Sequence, residues 1–166
     1  LVGAQVVGPG DGAKRLDVAV TAMSLGATLD PIAHLDLANA PPNAPPIDPL
    51  LTAVQQMQNK LDDIGRGISP HAAKSKIERG EVTLLDVLSP QEFEEMGLPY
   101  DVVHVPLGAL RSKCDSIPRD KEILAFCKVS LRGYEAQRIL DEKGFENVSF
   151  IEGGLVGWPF ELRSGS

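Results

Sequence analysis

The feature that most constrains the fold is an alternation of short apolar stretches with helical patterns in the second half of the chain. The apolar stretches are continuous, which is typical of strands that are buried on both faces. Because helical patterns separate them, consecutive strands should run in the same direction beneath covering helices. Strands are predicted over residues 82–88, 102–105, 123–126 and 148–151, and helices over residues 70–80, 109–116 and 131–143. The sequence therefore predicts an α/β fold, a parallel sheet with helices on both faces.

Capping and turn residues mark the ends of some of these elements. Ser89 and Glu92 have the spacing of a capping box, in which each side chain accepts a hydrogen bond from the other residue's backbone. Gly144 follows the last helical pattern and is expected to end that helix. A further short helix is therefore predicted between the first two strands.

Cys127 lies where the third predicted strand runs into the last predicted helix. In parallel sheets, ligands bind beyond the carboxyl ends of the strands. Unpaired N–H groups converge at a helix N-terminus and carry partial positive charge, to which Lys128 and Arg132 add full charges. All of these stabilise a thiolate relative to a thiol. The sequence therefore predicts that Cys127 ionises easily and acts as a nucleophile in an anion cradle.

An inert core cysteine is the alternative interpretation of Cys127, because cysteine is among the residues most often buried. The residues after it favour the functional interpretation. Ser130 offers a hydroxyl and Gly133 eases the turn into the helix, and neither they nor the basic side chains are needed beside an inert thiol. The functional interpretation requires that water reach Cys127 and that neighbouring amide hydrogens point toward its sulfur.

Other residues that could carry chemistry have weaker local support. Asp86 ends the first predicted strand near the same edge of the sheet, where it either orients the active-site loop or is a satisfied structural carboxylate. Cys114 falls in a predicted helix without a basic loop, so a structural thiol is favoured over a resolving cysteine. The histidines lack any ligand spacing with the cysteines, so no metal site is predicted. They are His34, His71 and His104.

The composition excludes several classes of function. The 166 residues carry a formal net charge of −7, so the molecule as a whole repels phosphate backbones and anionic lipid surfaces. Nucleic-acid binding and membrane association are therefore not expected, and no apolar stretch is long enough to span a bilayer. Two cysteines in a chain of this size indicate reduced thiols, so a cytoplasmic protein is expected. An anionic small substrate would be drawn to the basic residues beside Cys127.

The N-terminal part of the chain has a different organisation and only one predicted strand. A single strand cannot satisfy its own backbone hydrogen bonds and needs a sheet to join. The strand therefore pairs across a homodimer or belongs to a sheet whose other strands lie in a missing part of a longer protein. That Leu1 is not a methionine fits the second interpretation. The predicted elements are a strand over residues 1–7, helices over 13–25 and 30–37 with Thr28 capping the second, a proline-rich extended segment over 40–47, and a helix with Asp48 as N-cap and Pro49 as its first residue.

A joint between two domains is predicted at residues 65–66, where glycines flank Arg66. It divides the chain into residues 1–64 and residues 65–166.

Five short motifs follow one another between about residues 69 and 160. They are Leu84-Leu-Asp-Val87, Ser89-Pro-Gln-Glu-Phe93, His104-Val-Pro-Leu-Gly108, Cys127-Lys-Val-Ser-Leu-Arg-Gly133 and Glu152-Gly-Gly-Leu-Val-Gly-Trp158. In this order they resemble a single rhodanese domain. Rhodaneses take sulfane sulfur from a donor such as thiosulfate onto a loop cysteine as a persulfide, and pass it to a thiol or cyanide.

The resemblance implies roles for particular residues. Cys127 would be the persulfide carrier, and backbone N–H groups after it would line the pocket. Leu88 follows the Asp-Val pair where rhodaneses often have arginine, so a supporting salt bridge to Asp86 is not expected. The expected pocket residues are Lys128, Val129, Ser130, Leu131, Arg132 and Gly133.

The N-terminal part has a resemblance of its own. Its motifs are Leu1-Val-Gly-Ala-Gln-Val-Val-Gly8, Lys14-Arg-Leu-Asp-Val18, Ala40-Pro-Pro42 and Asp48-Pro49. They resemble the second half of the α+β dimerisation domain in flavoprotein pyridine nucleotide-disulfide oxidoreductases. Coenzyme A disulfide reductases and persulfide reductases of that family carry a C-terminal rhodanese, which is the order found here.

This second resemblance implies the tail end of an FAD- and NAD(P)H-dependent fusion enzyme. FAD and coenzyme A would then belong to the parent enzyme, and no cofactor is expected in this chain. The family's reductases usually place tyrosines around the Ala-Pro-Pro motif, whereas this chain has Asn39 and Asn43, which argues against reductase chemistry at this segment.

The length of the cysteine loop favours sulfur over phosphate as the transferred group. Four residues separate Cys127 from Arg132, a short ring of amides suited to one terminal sulfur, whereas related phosphatases use five. The expected donors are small anions, namely thiosulfate, polysulfide or coenzyme A persulfide, and the expected acceptor is a thiol. Two alternatives remain open: a catalytically silent rhodanese-like module that binds a partner, and an oxidoreductase fragment without activity of its own.

Overall fold

Two units make up the chain in the computed structural model, which describes residues 1–8, 12–38 and 45–164. The first unit is Leu1–Ile64 and the second is Gly65–Ser166. All the strands lie in the second unit. They are β1 (Gly67–Ile68), β2 (Val82–Asp86), β3 (Met96–Gly97), β4 (Val103–His104), β5 (Glu122–Phe126), β6 (Val148–Ile151) and β7 (Arg163–Ser164).

Five of these strands form one sheet in the order β1-β6-β5-β2-β4, and every pairing in it is parallel. Helix α7 packs on β5 and β6, and α4 packs on β2. The predicted fold class, a parallel sheet flanked by helices, is therefore confirmed. The helices are α1 (Gly12–Ser24), α2 (Leu29–Ala33), α3 (Pro49–Leu61), α4 (Pro70–Glu78), α5 (Pro90–Glu95), α6 (Leu107–Lys113) and α7 (Leu131–Glu142), with a 3-10 turn at Cys114–Ser116.

The central strand β5 explains why the apolar pattern is continuous. Its residues from Ile123 to Phe126 are all buried, because β2 and β6 pair with its two edges and helices cover the sheet. The neighbouring Leu84 and Leu85 of β2 are buried as well. Burial on both faces removes the polar half of the usual strand alternation.

The register brings three strand ends to one edge of the sheet. Asp86, the last residue of β2, lies opposite Phe126 of β5 and His104 of β4. Cys127 is the next residue after β5, so it lies at the carboxyl edge where parallel sheets bind ligands.

Three short strands were not predicted from the sequence. β1 joins the edge of the parallel sheet beside β6, and β3 and β7 form a separate antiparallel pair. Each has two residues, which is too short for any hydrophobic period to show. Their pairing depends on residues far apart in the chain, as in Met96 opposite Ser164.

The described residues of the first unit contain three helices, and the predicted strand of this unit is wrong. Residues 1–7 form no strand, and no other strand lies in the described part of this unit to pair with them. A segment without a partner strand cannot satisfy its backbone hydrogen bonds in a sheet. Helix α2 ends at Ala33 rather than at residue 37, and Thr28 occupies its N-cap without a side-chain capping bond.

The last helix of this unit begins as predicted. The Asp48 side chain accepts a hydrogen bond from the Leu50 amide (2.8 Å), Pro49 is the first residue of α3, and Arg15 of α1 forms an ion pair with Asp48. The extended segment predicted over residues 40–47 lies mostly outside the described residues.

Many apolar side chains of the first unit are exposed. A groove of about 650 Å³ with a mostly apolar lining runs between residues 1–7 and helices α1 and α3. The unit thus presents apolar surface that its own chain does not cover. Exposed examples are Val2, Val7, Val20, Leu25, Met57 and Leu61.

Candidate active site

The loop that follows β5 turns sharply before α7 begins. Ser130 is the N-cap of α7 and has a φ of +84°, a conformation that non-glycine residues seldom adopt. Strained backbone of this kind costs about 1–3 kcal/mol and is found most often at functional sites. Gly133 was expected to ease the turn, but it lies inside α7 and the strained residue is Ser130. Gly133 packs closely against β6 instead, because a Cβ at this position would lie 3.2 Å from the Cβ of Phe150.

The amides of this loop have no protein acceptor. Within the described part of the chain, none of the N–H groups of residues 128–133 donates a hydrogen bond to another residue, and the first bond of α7 runs from Tyr134 N to Ser130 O (3.0 Å). Six consecutive unpaired donors at a helix N-terminus form a ready site for an anion. Of these residues, Lys128, Val129 and Leu131 have exposed side chains.

Cys127 itself is fully buried, with a relative exposure of 0%. The expectation of a sulfur reached by water is therefore wrong for this conformation. Cys127 continues the buried strand β5, and a second segment covers the start of its loop: Leu155 N donates to Cys127 O (2.9 Å) and Val156 N donates to Lys128 O (3.0 Å). A donor molecule reaches this sulfur only after a neighbouring group moves.

The side chain of Arg132 forms a two-pronged ion pair that the sequence did not reveal. Its two terminal nitrogens donate to the two carboxylate oxygens of Glu92, at 2.6 and 2.8 Å. This contact, followed by the Ser89 amide, lowers the pKa of Glu92 to about 2. The Glu92 hydrogen bond also raises the pKa of Arg132, with smaller contributions from the neighbouring Cys127 sulfur. Arg132 is therefore bound to a carboxylate and also interacts electrostatically with the candidate nucleophile.

Glu92 was identified in the sequence only as part of a capping box, and that prediction is confirmed. Glu92 N donates to Ser89 Oγ (3.3 Å) and Ser89 N donates to Glu92 Oε2 (3.0 Å). Nothing in the local pattern could indicate its second partner, which lies 40 positions away in the chain.

Asp86 is fully buried at the end of β2, one strand away from Cys127. Its Oδ1 accepts a hydrogen bond from Leu88 N (2.8 Å), and its Oδ2 has no hydrogen-bond partner among the described residues. Burial raises the pKa of Asp86 to about 6, although the Leu88 amide and the charges of nearby basic residues oppose the shift. One oxygen of the Asp86 carboxylate therefore has a hydrogen-bond partner, and among the described residues this carboxylate makes no hydrogen bond to the cysteine loop.

The remaining candidates make no hydrogen bond to the cysteine loop within the described residues. Cys114 is buried in the 3-10 turn, where its Sγ faces Arg111 O (3.7 Å). His104 stacks on Phe93 (4.0 Å between centroids) and contacts Leu88 O through Nε2 (3.0 Å). Within residues 1–8, 12–38 and 45–164, no three His, Cys, Asp or Glu side chains are arranged to hold a metal ion. No helix in those ranges has the length and apolar character needed to cross a bilayer.

Comparison with known proteins shows the class to which this fold and loop belong. The model of the rhodanese-like domain family matches residues 69–160. The chain is also 35% identical over 97 residues to the protein named "Putative sulfurtransferase YtwF" of Bacillus subtilis (strain 168), covering 58% of this chain and 92% of that protein. The chain therefore belongs to the rhodanese-like domain family, and at the family level it is a rhodanese-type sulfurtransferase domain.

Two solved structures are similar to both units of the chain. One is the NAD-dependent persulfide reductase from A. fulgidus, with a TM-score of 0.75 and 42% identity over 91% of this chain. The other is the reduced CoADR-RHD of Bacillus anthracis, with a TM-score of 0.80 and 32% identity over 89% of this chain. The chain spans 26% of the length of each.

Proposed function

We propose that Cys127 carries sulfane sulfur as a persulfide. The observation that carries this proposal is the run of six amides after Cys127, at the carboxyl edge of the sheet, that donate no hydrogen bond within the described residues. In the first step the Cys127 thiolate attacks the outer sulfur of a donor such as thiosulfate, the sulfur–sulfur bond of the donor breaks, and its electron pair leaves with sulfite. In the second step an acceptor thiolate attacks the outer sulfur, and the electron pair of the persulfide bond returns to Cys127.

The loop amides would stabilise the charge on the transferred sulfur. Their N–H groups are fixed by the backbone before the donor arrives, so little reorganisation is needed when charge develops. The positive end of α7 and the guanidinium of Arg132 add to this stabilisation. The same arrangement suits the small anionic donors expected from the sequence, namely thiosulfate, polysulfide or coenzyme A persulfide, with a thiol as the acceptor.

The proposal extends to a parent enzyme of which this chain is the C-terminal part. Such an enzyme would be an FAD- and NAD(P)H-dependent coenzyme A disulfide or persulfide reductase, with FAD and coenzyme A bound outside this chain. The similarity of both units to two longer reductase structures supports it. Residues 1–7 have no partner strand in the described part of the first unit, and an apolar groove lies beside them. Both observations support the assignment of residues 1–64 to half of a dimerisation domain, and hence a homodimer.

The burial of Cys127 favours one alternative, a rhodanese-like module that binds a partner without turnover. The two functions differ in a direct observable. A sulfur carrier gains the mass of one sulfur atom on Cys127 after treatment with thiosulfate or polysulfide, and a silent module does not.

The substitution Cys127→Ser tests the proposal. We expect it to abolish thiocyanate formation from thiosulfate and cyanide, because a hydroxyl cannot form the persulfide. The matched control is Cys114→Ser, which removes the other thiol and should leave turnover unchanged because Cys114 lies apart from the loop. Undiminished turnover by Cys127→Ser would overturn the assignment.

A further inference from the structure

The Glu92 carboxylate takes part in two separate interactions. Glu92 is the third residue of α5, and its carboxylate accepts a hydrogen bond from the Ser89 amide, which closes the helix cap. The same carboxylate accepts hydrogen bonds from both terminal nitrogens of Arg132. The Glu92 and Arg132 side chains are only 24% and 29% exposed. Ion pairs that are partly shielded from water and bonded at two points are the strong ones. The contact therefore fixes both the position and the plane of the guanidinium.

The place of Arg132 gives this contact its significance. Arg132 is the second residue of α7 and the last charged residue of the loop that begins after Cys127. Its hydrogen bonds go to Glu92, and the Cys127 sulfur is among the smaller causes that raise the Arg132 pKa. A free arginine side chain has many rotamers, and holding it beside a thiolate costs conformational entropy. An arginine that a carboxylate already holds has lost this entropy before the thiolate forms, so thiolate formation carries no further entropy cost for its side chain.

Helix α5 is itself held in place. Phe93, the residue after Glu92, stacks on His104 of β4 with an interplanar angle of 6°. The Arg163 guanidinium lies 4.9 Å from the centre of the Phe93 ring and donates to the Phe93 carbonyl. Glu92 therefore projects from a segment fixed by packing against β4 and β7.

We propose that Glu92 is a positioning residue for sulfur transfer, which holds the Arg132 guanidinium where it stabilises negative charge on Cys127 and on the transferred sulfur. This rests on the proposed function of Cys127. It assigns Glu92 a role beyond the capping of α5. The helix cap and the sulfur loop then share one carboxylate.

Two substitutions separate the positioning role from the capping role. Glu92→Gln keeps an oxygen that can accept the Ser89 amide but removes the ion pair with Arg132. Ser89→Ala removes the hydroxyl that accepts a hydrogen bond from the Glu92 amide, and it leaves the ion pair between Glu92 and Arg132 in place. We expect Glu92→Gln to lower kcat about ten-fold with KM changed less than about two-fold, because the amides that bind the donor are untouched. Ser89→Ala should unfold at a lower denaturant concentration yet keep its kcat within about two-fold.

The opposite pattern would overturn the proposal. If Ser89→Ala lowers kcat as much as Glu92→Gln, or if Glu92→Gln leaves kcat unchanged, the carboxylate serves the helix cap alone.

A double-mutant cycle with Arg132→Lys tests whether Glu92 acts through Arg132. Lysine keeps the charge but cannot form the two-pronged contact. In the Arg132→Lys background, we expect Glu92→Gln to lower kcat less than about three-fold, because the contact it removes is already lost. An equal loss in both backgrounds would show that Glu92 acts by another route.

A second measurement does not depend on sulfur transfer. In a Cys114→Ser background, the rate of Cys127 alkylation by iodoacetamide at neutral pH reports the thiolate that Arg132 stabilises. We expect Glu92→Gln to slow this alkylation at least about three-fold and Ser89→Ala to leave it unchanged. An unchanged or faster rate in Glu92→Gln overturns the positioning role. If sulfur transfer is absent in the unsubstituted protein while the alkylation effect is present, the proposed function of Cys127 fails and the control of its ionisation by Glu92 stands.

Discussion

At the scale of single residues, the site depends on pairs that are distant in the chain. Cys127 could be selected from its neighbours, because a strand and a helix N-terminus meet there. Its loop carries strain at Ser130 rather than at a glycine. The partner of Arg132 is a glutamate from α5, and the nearest buried carboxyl at this edge, Asp86, has one oxygen without a partner. The strand–helix junction at Cys127 can be recognised from the local sequence. The partner of Arg132 and the missing partner of Asp86 cannot.

Asp86 should make stability depend on pH. Its pKa is raised from 3.8 to about 6 by burial, so between about pH 4 and pH 6 the folded protein keeps a proton that the unfolded chain has released. The free energy of unfolding should therefore fall as pH rises through this window, by about 3 kcal/mol for a shift of two units. Asp86→Asn cannot titrate and should lack this component.

Urea unfolding of both proteins across this pH range measures the effect. The stability of Asp86→Asn relative to the unsubstituted protein should improve by about 3 kcal/mol between pH 4 and pH 7, since all other titrating groups are common to both chains. Parallel pH profiles would show that Asp86 does not titrate in this window.

At the scale of elements, the site is made by two connections at one edge of the sheet. The β5–α7 loop supplies the thiol and the amides, and the segment after β6 folds over it. Gly154 of that segment has a φ of +56°, and a Cβ there would approach the Lys128 carbonyl carbon to 2.7 Å. The cysteine loop and the segment after β6 therefore fit together only with glycine at this position.

Gly154→Ala should disturb the cysteine loop as well as stability. We expect a loss of at least about 2 kcal/mol in the free energy of unfolding, because the new methyl group strains its own backbone and meets the backbone of Cys127 and Lys128. The matched control is Gly144→Ala, which has a similar φ of +77° but open space around its Cβ, and which should cost about 1 kcal/mol. Denaturant unfolding compares the two, and equal losses would mean that the close approach at residue 154 is relieved without cost.

At the scale of the whole molecule, the residues proposed for sulfur transfer all lie in the second of the two units. The hydrophobic core around the sheet is formed by residues between Ala73 and Trp158, and Cys127, Arg132 and Glu92 lie within the same unit. The first unit has exposed apolar surface, and its described residues form no strand. The two units therefore differ in how much of their apolar surface their own chain buries.

Residues 65–166 should fold and accept sulfur without residues 1–64. The reason is that the sheet, its core and every candidate site residue belong to Gly65–Ser166. We expect this segment alone to unfold cooperatively and to gain the mass of one sulfur atom after treatment with polysulfide, as measured by intact mass. The same segment with Cys127→Ser is the control. If only the longer chain takes up sulfur, residues 1–64 contribute to the site.

Much of the fold could be predicted because its signals are local. The continuous apolar runs of β2, β5 and β6 determined a buried parallel sheet, and the capping box at Ser89 and Glu92 determined where α5 begins. The pattern of residues 1–7 predicts a strand, but these residues form none, since a strand needs a partner that the pattern cannot supply. The two-residue strands were missed because they are shorter than any period.

What the sequence determined by itself is the α/β fold class, the place of Cys127 at a strand end before a helix, and the order of the motifs that mark the family. Each rests on signals that are local in the chain, namely apolar runs, helical patterns and short motifs, together with the order in which these signals follow one another. Only the tertiary structure decided that Cys127 is buried, that Asp86 lacks a partner for one oxygen, and that Glu92 holds Arg132. These depend on which side chains meet across the sheet edge, and such contacts form between segments whose separation in the chain carries no local pattern.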